Sequence, residues 1–260
     1  PVAMETKKLI DLSFELRNTW EMKLESRRFL KSLELKETPN LAVDCRFIPL
    51  LSRRAQNLTS LQLAYMISEN QKKQLPWPLY FVNFHQEDPI MKKCKEKHLG
   101  SLSNPRNLGV IVSDQNYTDL FEKEKIIYLS PDAEEVIETI DPEKTYIIGG
   151  IVDRVFEKGI PKYASLEASQ ADKVKSLRLP LDEFIEWKSG TQFLTLVTMM
   201  KIFQLSYENG NNWKETFEKL IPMRYVKGPD EKNSISREVH QLFREYDREV
   251  LRIVEEKLGN

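Results

Sequence analysis

In TYIIGGIVDR, residues 145–154, an apolar β-rich run meets two glycines and then an aspartate. Glycine has no Cβ, so its backbone can lie close against a ligand or adopt a positive φ. Gly149 and Gly150 therefore read either as a strand-ending turn or as a bare wall for a bound molecule. Asp153 has two readings as well. It can cap a helix or close a turn, or its carboxylate can accept a proton and hold a polar ligand. Nucleotide fingerprints do not explain the glycines. The pair is adjacent, so no G-x-G-x-x-G opens a helix here, and G-x-x-x-x-G-K-[ST] does not occur. A dehydrogenase or a nucleoside triphosphatase is disfavoured. No G-x-S-x-G is present, which leaves a nucleophile triad without support. His85, His98 and His240 are far apart and match no cysteine pattern, so no metal is expected.

A glycine wall needs a rigid frame, and the remaining pattern supplies one. Residues 5–34 read as a long helix with Leu12, Leu16, Trp20 and Leu24 on one stripe, ended by KETPN at 36–40. LAVDCRF (41–47), LYFVNF (79–84), LGVIV (108–112), KIIYLS (125–130), TYIIGGIV (145–152) and SLRLPL (176–181) read as strands. Helices are expected over 50–74, 88–98, 193–207 and 211–220, and PDAEEVIETI, with Pro131 at its start, reads as a further helical or loop segment. Residues 234–258 pattern as an amphipathic helix with Ile235, Val239, Leu242, Tyr246, Val250 and Val254 on one face. Continuous apolar strands alternating with helices imply an α/β fold, a parallel sheet flanked by helices. Ligands in such sheets lie at the carboxyl ends of strands. That rule puts Ser130, residues 149–153 and residues 179–181 around one pocket.

Composition narrows the class. The chain has 260 residues, 40% hydrophobic and 30% charged, enough for a sizeable core. No apolar run reaches about 18 residues, so no membrane partner is expected. Two cysteines, Cys45 and Cys94, suggest a reducing compartment rather than a disulfide framework. The chain begins at Pro1, which reads as a trimmed fragment whose targeting segment would lie upstream. The net charge of −1 hides a separation. Residues 44–106 carry a net +5, and residues 113–143 a net −8. The basic stretch reads either as solvated helix faces or as a phosphate-binding lobe.

Several segments in order resemble one family. TYIIGGIVDR, SLRLPLDEF and FLTLVTMMKIF…NNWKETFEKLIPMR, preceded by LAVDCRF…LTSLQLAYMISENQKK and EKEKIIYLSPDA, are similar to the SPOUT-class tRNA position-9 N1-purine methyltransferases. The resemblance covers about residues 10–225. PLYFVNF and ENGNNWKETFEKLIPMR look most like the metazoan mitochondrial branch, the methyltransferase subunit of protein-only RNase P. The resemblance implies a C-terminal trefoil knot, an N-terminal helical extension over 1–40, a methyltransferase domain over 41–225 and a C-terminal helix over 226–260. It implies S-adenosylmethionine held by Leu129, Ser130, Gly149, Gly150, Val152, Leu177, Leu179, Leu181 and Thr195, with Asp153 beside the transferred methyl and Gln62 facing the target base.

The chemistry that follows is general base catalysis. N1 of guanine holds a proton near neutral pH, and a carboxylate within reach can remove it. Adenine N1 is already bare and needs no base. The family's motif also reaches Asn70, which the resemblance places among the RNA contacts, and Arg53, Arg54, Lys72, Lys73, Lys92, Lys93, Lys175 and Arg178 could grip phosphates. Implied partners are tRNA or precursor tRNA, a short-chain dehydrogenase-fold subunit and a protein-only RNase P nuclease. The implied location is the mitochondrial matrix, with nucleus or cytosol as the alternative. A non-catalytic tRNA-presenting scaffold is the rival reading. Two departures touch the base-binding side: LTLVTMM where cytosolic relatives carry an asparagine, and SGTQF where mitochondrial relatives carry asparagines.

Overall fold

The computed structural model describes the backbone of residues 2–104, 107–151, 157, 159–187, 194–222, 226 and 246, and their side chains from Asn18 onward. The chain order runs α1 (Val2–Leu35), β1 (Asn40–Asp44), α2 (Arg53–Gln71), β2 (Leu79–Val82), α3 (Pro89–His98), β3 (Ile111–Val112), α4 (Tyr117–Leu120) and β4 (Ile126–Leu129). It continues through β5 (Thr145–Gly149), α5 (Ala164–Asp172), β6 (Lys175–Leu177), α6 (Leu181–Phe184), α7 (Leu196–Glu208) and α8 (Trp213–Leu220).

The six strands form one parallel sheet in the order β3-β2-β1-β5-β4-β6. The chain builds outward from β1 to β3, then crosses to the other half. The order therefore reverses between β1 and β5, the place where α/β sheets open a crevice. Register brings the carboxyl ends level: Asp44 stands opposite Val82 and Gly149, and Leu129 opposite Ile148 and Leu177.

Side chains alternate across the strands, as the two-residue period requires. Leu41, Val43, Ile127, Leu129, Tyr146 and Ile148 face one layer, with Leu63 and Met66 of α2, Met200 and Phe203 of α7, and Trp213 and Phe217 of α8. Ala42, Ile126, Tyr128 and Ile147 face the other, with Tyr117 and with Ala164 and Ala168 of α5. Both faces are covered, which is why these strands read as unbroken apolar runs.

Several expectations are corrected. Among the described side chains of α1 the buried ones are Ser26, Phe29 and Ser32, while Trp20 is 68% exposed and Leu24 40%. The stripe that recurs every four residues is thus not the packed face at that end of the helix; the packed face is offset, and Ser26 Oγ accepts the Leu108 N–H at 2.9 Å. Residues 131–140, read as a helical or loop segment, take the loop form and no helix. Val136 bridges Arg178, and Arg178 donates to the Glu135 carbonyl while accepting from the Ile137 N–H, both at 2.9 Å. The segment extends the sheet beside β6 and buries Ile137 and Ile140. Helix α5 was not expected at all. The helix expected over 234–258 lies outside the described residues except Tyr246, which is helical and exposed. The expected knot falls in part on residues 152–156, 158 and 188–193, which lie outside the described residues.

Candidate active site

A cavity of about 290 Å³ opens at the carboxyl ends of β4, β5 and β6. Its floor is apolar: Leu129, Ile148, Leu179, Leu194, Leu196 and Met199. Gly149 forms one edge, and Ile160, Pro161, Ala164 and Ser165 approach from the other face of the sheet. Asp132, Lys162 and Asp182 are exposed at the rim. Trp187 also lines it. The volume stands at the low end of the roughly 300–1,000 Å³ usual for small-molecule sites.

Of the residues expected to hold a cofactor, Leu129, Ser130, Gly149, Leu179 and Leu181 line this cavity. Ser130 is buried, its N–H donating to the Leu177 carbonyl at 3.0 Å and its hydroxyl accepting from the Asp132 N–H at 3.2 Å, so it shapes the turn that follows β4. Leu177 is buried beneath the site rather than on its surface. Thr195 is not among the lining residues. It caps α7, its hydroxyl accepting from the Thr198 N–H at 3.2 Å, and so sets Leu194 and Leu196 against the cavity. Gly150 serves a different contact. Its N–H donates to the Asp44 carbonyl at 2.8 Å, and a Cβ there would lie 2.6 Å from that oxygen. The bare backbone of Gly150 thus admits β1, whereas that of Gly149 borders the cavity. Val152 and Asp153 lie outside the described residues.

Gln62 is half-buried where α2 meets α7, and its carbonyl oxygen is 3.5 Å from the Val197 N–H. It is not a lining residue. Arg178 is one, and this was not expected of it. Glu183 holds its guanidinium through two bonds of 3.1 and 2.7 Å. The pair raises the arginine pKa and lowers that of Glu183.

The expectation that Asn70 meets RNA is corrected. It is fully buried, its amide donating to the Trp77 carbonyl at 2.8 Å while its oxygen accepts from the Trp77 N–H at 2.9 Å and from Gln204 at 2.8 Å. Its work is to fasten the 72–77 turn between α2 and α7. The expected phosphate-gripping cations differ among themselves. Lys72 pairs with Glu69, Lys73 with Glu208 and Lys175 with Glu135. Arg53, Arg54, Lys92 and Lys93 are exposed at the starts of α2 and α3. A carboxylate already occupies the start of α2: Glu157 accepts the Ser52 N–H and hydroxyl, both at 2.8 Å.

A polar network that sequence reasoning missed backs the strand ends. Asp44, fully buried, accepts from Asn83 at 2.8 Å and Tyr128 at 3.1 Å, and pairs with Arg46 at 2.7 Å. Arg46 reaches Asp172 at 2.7 Å, which also accepts from the Tyr117 hydroxyl. Buried charges are tolerated when paired and fully bonded in this way. Burial acts to raise the Asp172 pKa, but the bonds from Tyr117 and Arg46 outweigh it and hold the carboxyl below its ordinary range. Burial and the neighbouring Asp44 push Tyr128 well up. The signal for this network was the pair Asp44–Arg46 at a strand end, charges placed where a parallel sheet is dry.

A family model described as tRNA (guanine(9)-N(1))-methyltransferase TRM10/TRM10A matches residues 5–226. The chain belongs to this family. Among TRM10 relatives, the bovine protein named tRNA methyltransferase 10 homolog B is 27% identical over 81% of this chain and 67% of its own length. The Drosophila melanogaster protein named mitochondrial ribonuclease P protein 1 homolog is 26% identical over 80% of this chain and 44% of its own length. The chain thus spans less than half of that fly relative. The solved complex of full-length spTrm10 with SAH is 27% identical, with a TM-score of 0.59 over 71% of this chain and 97% of that one. A second spTrm10 structure has a TM-score of 0.61 at the same identity. The fold is therefore the SPOUT-type parallel sheet of the TRM10 proteins.

Proposed function

We propose that this TRM10-family chain is an S-adenosylmethionine-dependent methyltransferase that modifies N1 of the purine at position 9 of tRNA. The observation that carries the reading is the cavity at the carboxyl ends of β4, β5 and β6, walled on one side by the bare backbone of Gly149. The residues present suit the cofactor. A dry floor of Leu129, Ile148, Leu179 and Leu196 matches a purine ring, and the rim groups Asp132, Lys162 and Asp182 match polar and charged ends. A buried donor on Trp187, unpartnered among the described residues, is consistent with an acceptor arriving in the cavity. That spTrm10 was solved with SAH supports the assignment.

When bound, the cofactor supplies a methyl group on a cationic sulfonium. Asp153, just beyond the glycine edge in sequence, is proposed as the base that removes the N1 proton of guanine. Gln62 is proposed to meet the base edge with an amide that can donate and accept. Positioning contributes most of the remaining acceleration. Val152 is proposed to continue the cofactor wall, and Arg53, Arg54, Lys92 and Lys93 to grip phosphates. The decisive experiment is calorimetric titration with S-adenosylhomocysteine, paired with methyl transfer to tRNA carrying guanine or adenine at position 9. Asp153→Asn should cost guanine methylation at least about tenfold more than adenine methylation, within the range general base catalysis contributes. Equal losses with intact cofactor binding would remove Asp153 from the role of base.

A second reading follows from the name of the fly relative. The chain would present precursor tRNA to a partner nuclease, with a dehydrogenase-fold subunit beside it, in the mitochondrial matrix. The two roles separate if a variant without cofactor binding still stimulates 5′ cleavage.

A further inference from the structure

Trp187 lines the cavity together with Leu194, Leu196 and Met199. Its indole nitrogen is buried and has no hydrogen-bond partner among the described residues. Trp213 shows the ordinary arrangement, its Nε1 donating to the Glu138 carbonyl at 2.7 Å. Buried polar groups are as a rule paired, so an orphaned one at the wall of a cavity calls for a partner that enters the cavity. An indole N–H only donates, so that partner must be an acceptor.

The surroundings narrow the acceptor further. Leu129, Ile148, Leu179 and Leu196 make the floor apolar. A carboxylate driven against such a floor would lose its hydration, and the Arg178 guanidinium in the lining is already held by Glu183. The charged side chains Asp132, Lys162 and Asp182 are exposed at the rim, where the amino-acid end of a cofactor would keep its water. A flat heteroaromatic ring, apolar on its faces with neutral acceptor nitrogens on its edge, fits the floor.

We propose that the Trp187 indole N–H donates a hydrogen bond to a ring nitrogen of the cofactor's purine, which makes Trp187 a cofactor-binding and specificity residue. The proposal rests on the reading of the cavity as the S-adenosylmethionine site. It places the adenine against Trp187 and the α7 start, and the sulfonium end toward Gly149. Adenine offers three such nitrogens, and its exocyclic amine, a donor, cannot serve.

The test is binding, not turnover. The full chain and Trp187→Phe are titrated by calorimetry with S-adenosylhomocysteine and with its 1-deaza, 3-deaza and 7-deaza analogues. S-Adenosylhomocysteine should bind Trp187→Phe about tenfold more weakly, the order expected when a buried bond is lost. One deaza analogue should lose a similar factor on the unaltered chain and nothing further on Trp187→Phe, the coupling that marks a direct contact. If the unaltered chain does not bind S-adenosylhomocysteine, the functional reading fails and this proposal with it. If it binds, but Trp187→Phe binds equally well or no analogue shows coupling, the Trp187 proposal alone is overturned. Should Trp187→Phe not fold, the unaltered chain decides through its indole N–H resonances. One of them must move downfield with S-adenosylhomocysteine and must fail to do so with one deaza analogue; resonances that respond alike to all four ligands overturn the proposal.

Discussion

At the scale of single residues, the two adjacent glycines are not equivalent. A Cβ on Gly150 would meet the Asp44 backbone carbonyl at 2.6 Å, an atom fixed in the middle of the sheet. A Cβ on Gly149 would meet the Ser165 hydroxyl at 2.8 Å, which can rotate away. Gly150→Ala should therefore destabilise the protein by about 3 kcal/mol, and Gly149→Ala by about 1 kcal/mol, as overpacking of rigid and yielding sites does. Denaturant midpoints compare the two. Gly149→Ala should instead weaken S-adenosylhomocysteine binding, because the displaced Ser165 lines the cavity. The glycine pair was legible in the sequence as a place needing bare backbone. Which glycine served the cavity was not, since that depends on β1 lying beside β5, a neighbour more than one hundred residues away (|i−j| is 105 at Asn40–Thr145).

At the scale of elements, Asn70 ties α2 to the 72–77 turn and to α7. Asn70→Ala would leave the Trp77 N–H, the Trp77 carbonyl and the Gln204 amide without that partner in the core. The expected cost is about 2–4 kcal/mol, the sum of several buried groups left unpaired. It should be read by chemical denaturation, with tRNA affinity of the folded fraction unchanged. A selective loss of tRNA binding at full stability would restore an RNA contact for Asn70. The six strands were legible because a two-sided sheet enforces apolar runs that survive any loop arrangement. Helix α5 was not, because ASLEASQAD offers small and polar residues where an amphipathic stripe would be sought. Its burial depends on Ala164 and Ala168 fitting closely under Tyr128, a matter of tertiary shape. For residues 131–140 the sequence left helix and loop both open. Their helix-like start at Pro131 is overridden by pairing with Arg178, a contact that no local pattern encodes.

At the scale of the whole molecule, the network of Asp44, Arg46, Tyr117, Tyr128 and Asp172 joins three distant parts of the chain behind the strand ends. The folded state lowers the Asp172 pKa beneath its ordinary 3.8. A carboxyl lowered on folding adds stability that is complete above the unfolded value and disappears as pH falls through the folded one. The protein should therefore lose stability below about pH 4, and Asp172→Asn should flatten that acid limb while costing about 1–3 kcal/mol at neutral pH. Thermal denaturation across pH 2.5–7, a range chosen around the roughly 3.9 of an unperturbed aspartate, checks both expectations; an unchanged acid limb in the variant would exclude Asp172 as its source. Strand order has a further consequence, for synthesis on the ribosome. β1 has its β2 partner within reach once both have emerged, but its other edge has no partner until β5 is made. Until residue 149 leaves the exit tunnel, β1, a central and largely buried strand of the finished sheet, shows an open hydrogen-bonding edge. Such edges invite pairing between chains. A chaperone that shields this interval would raise the yield of folded protein without touching its final stability.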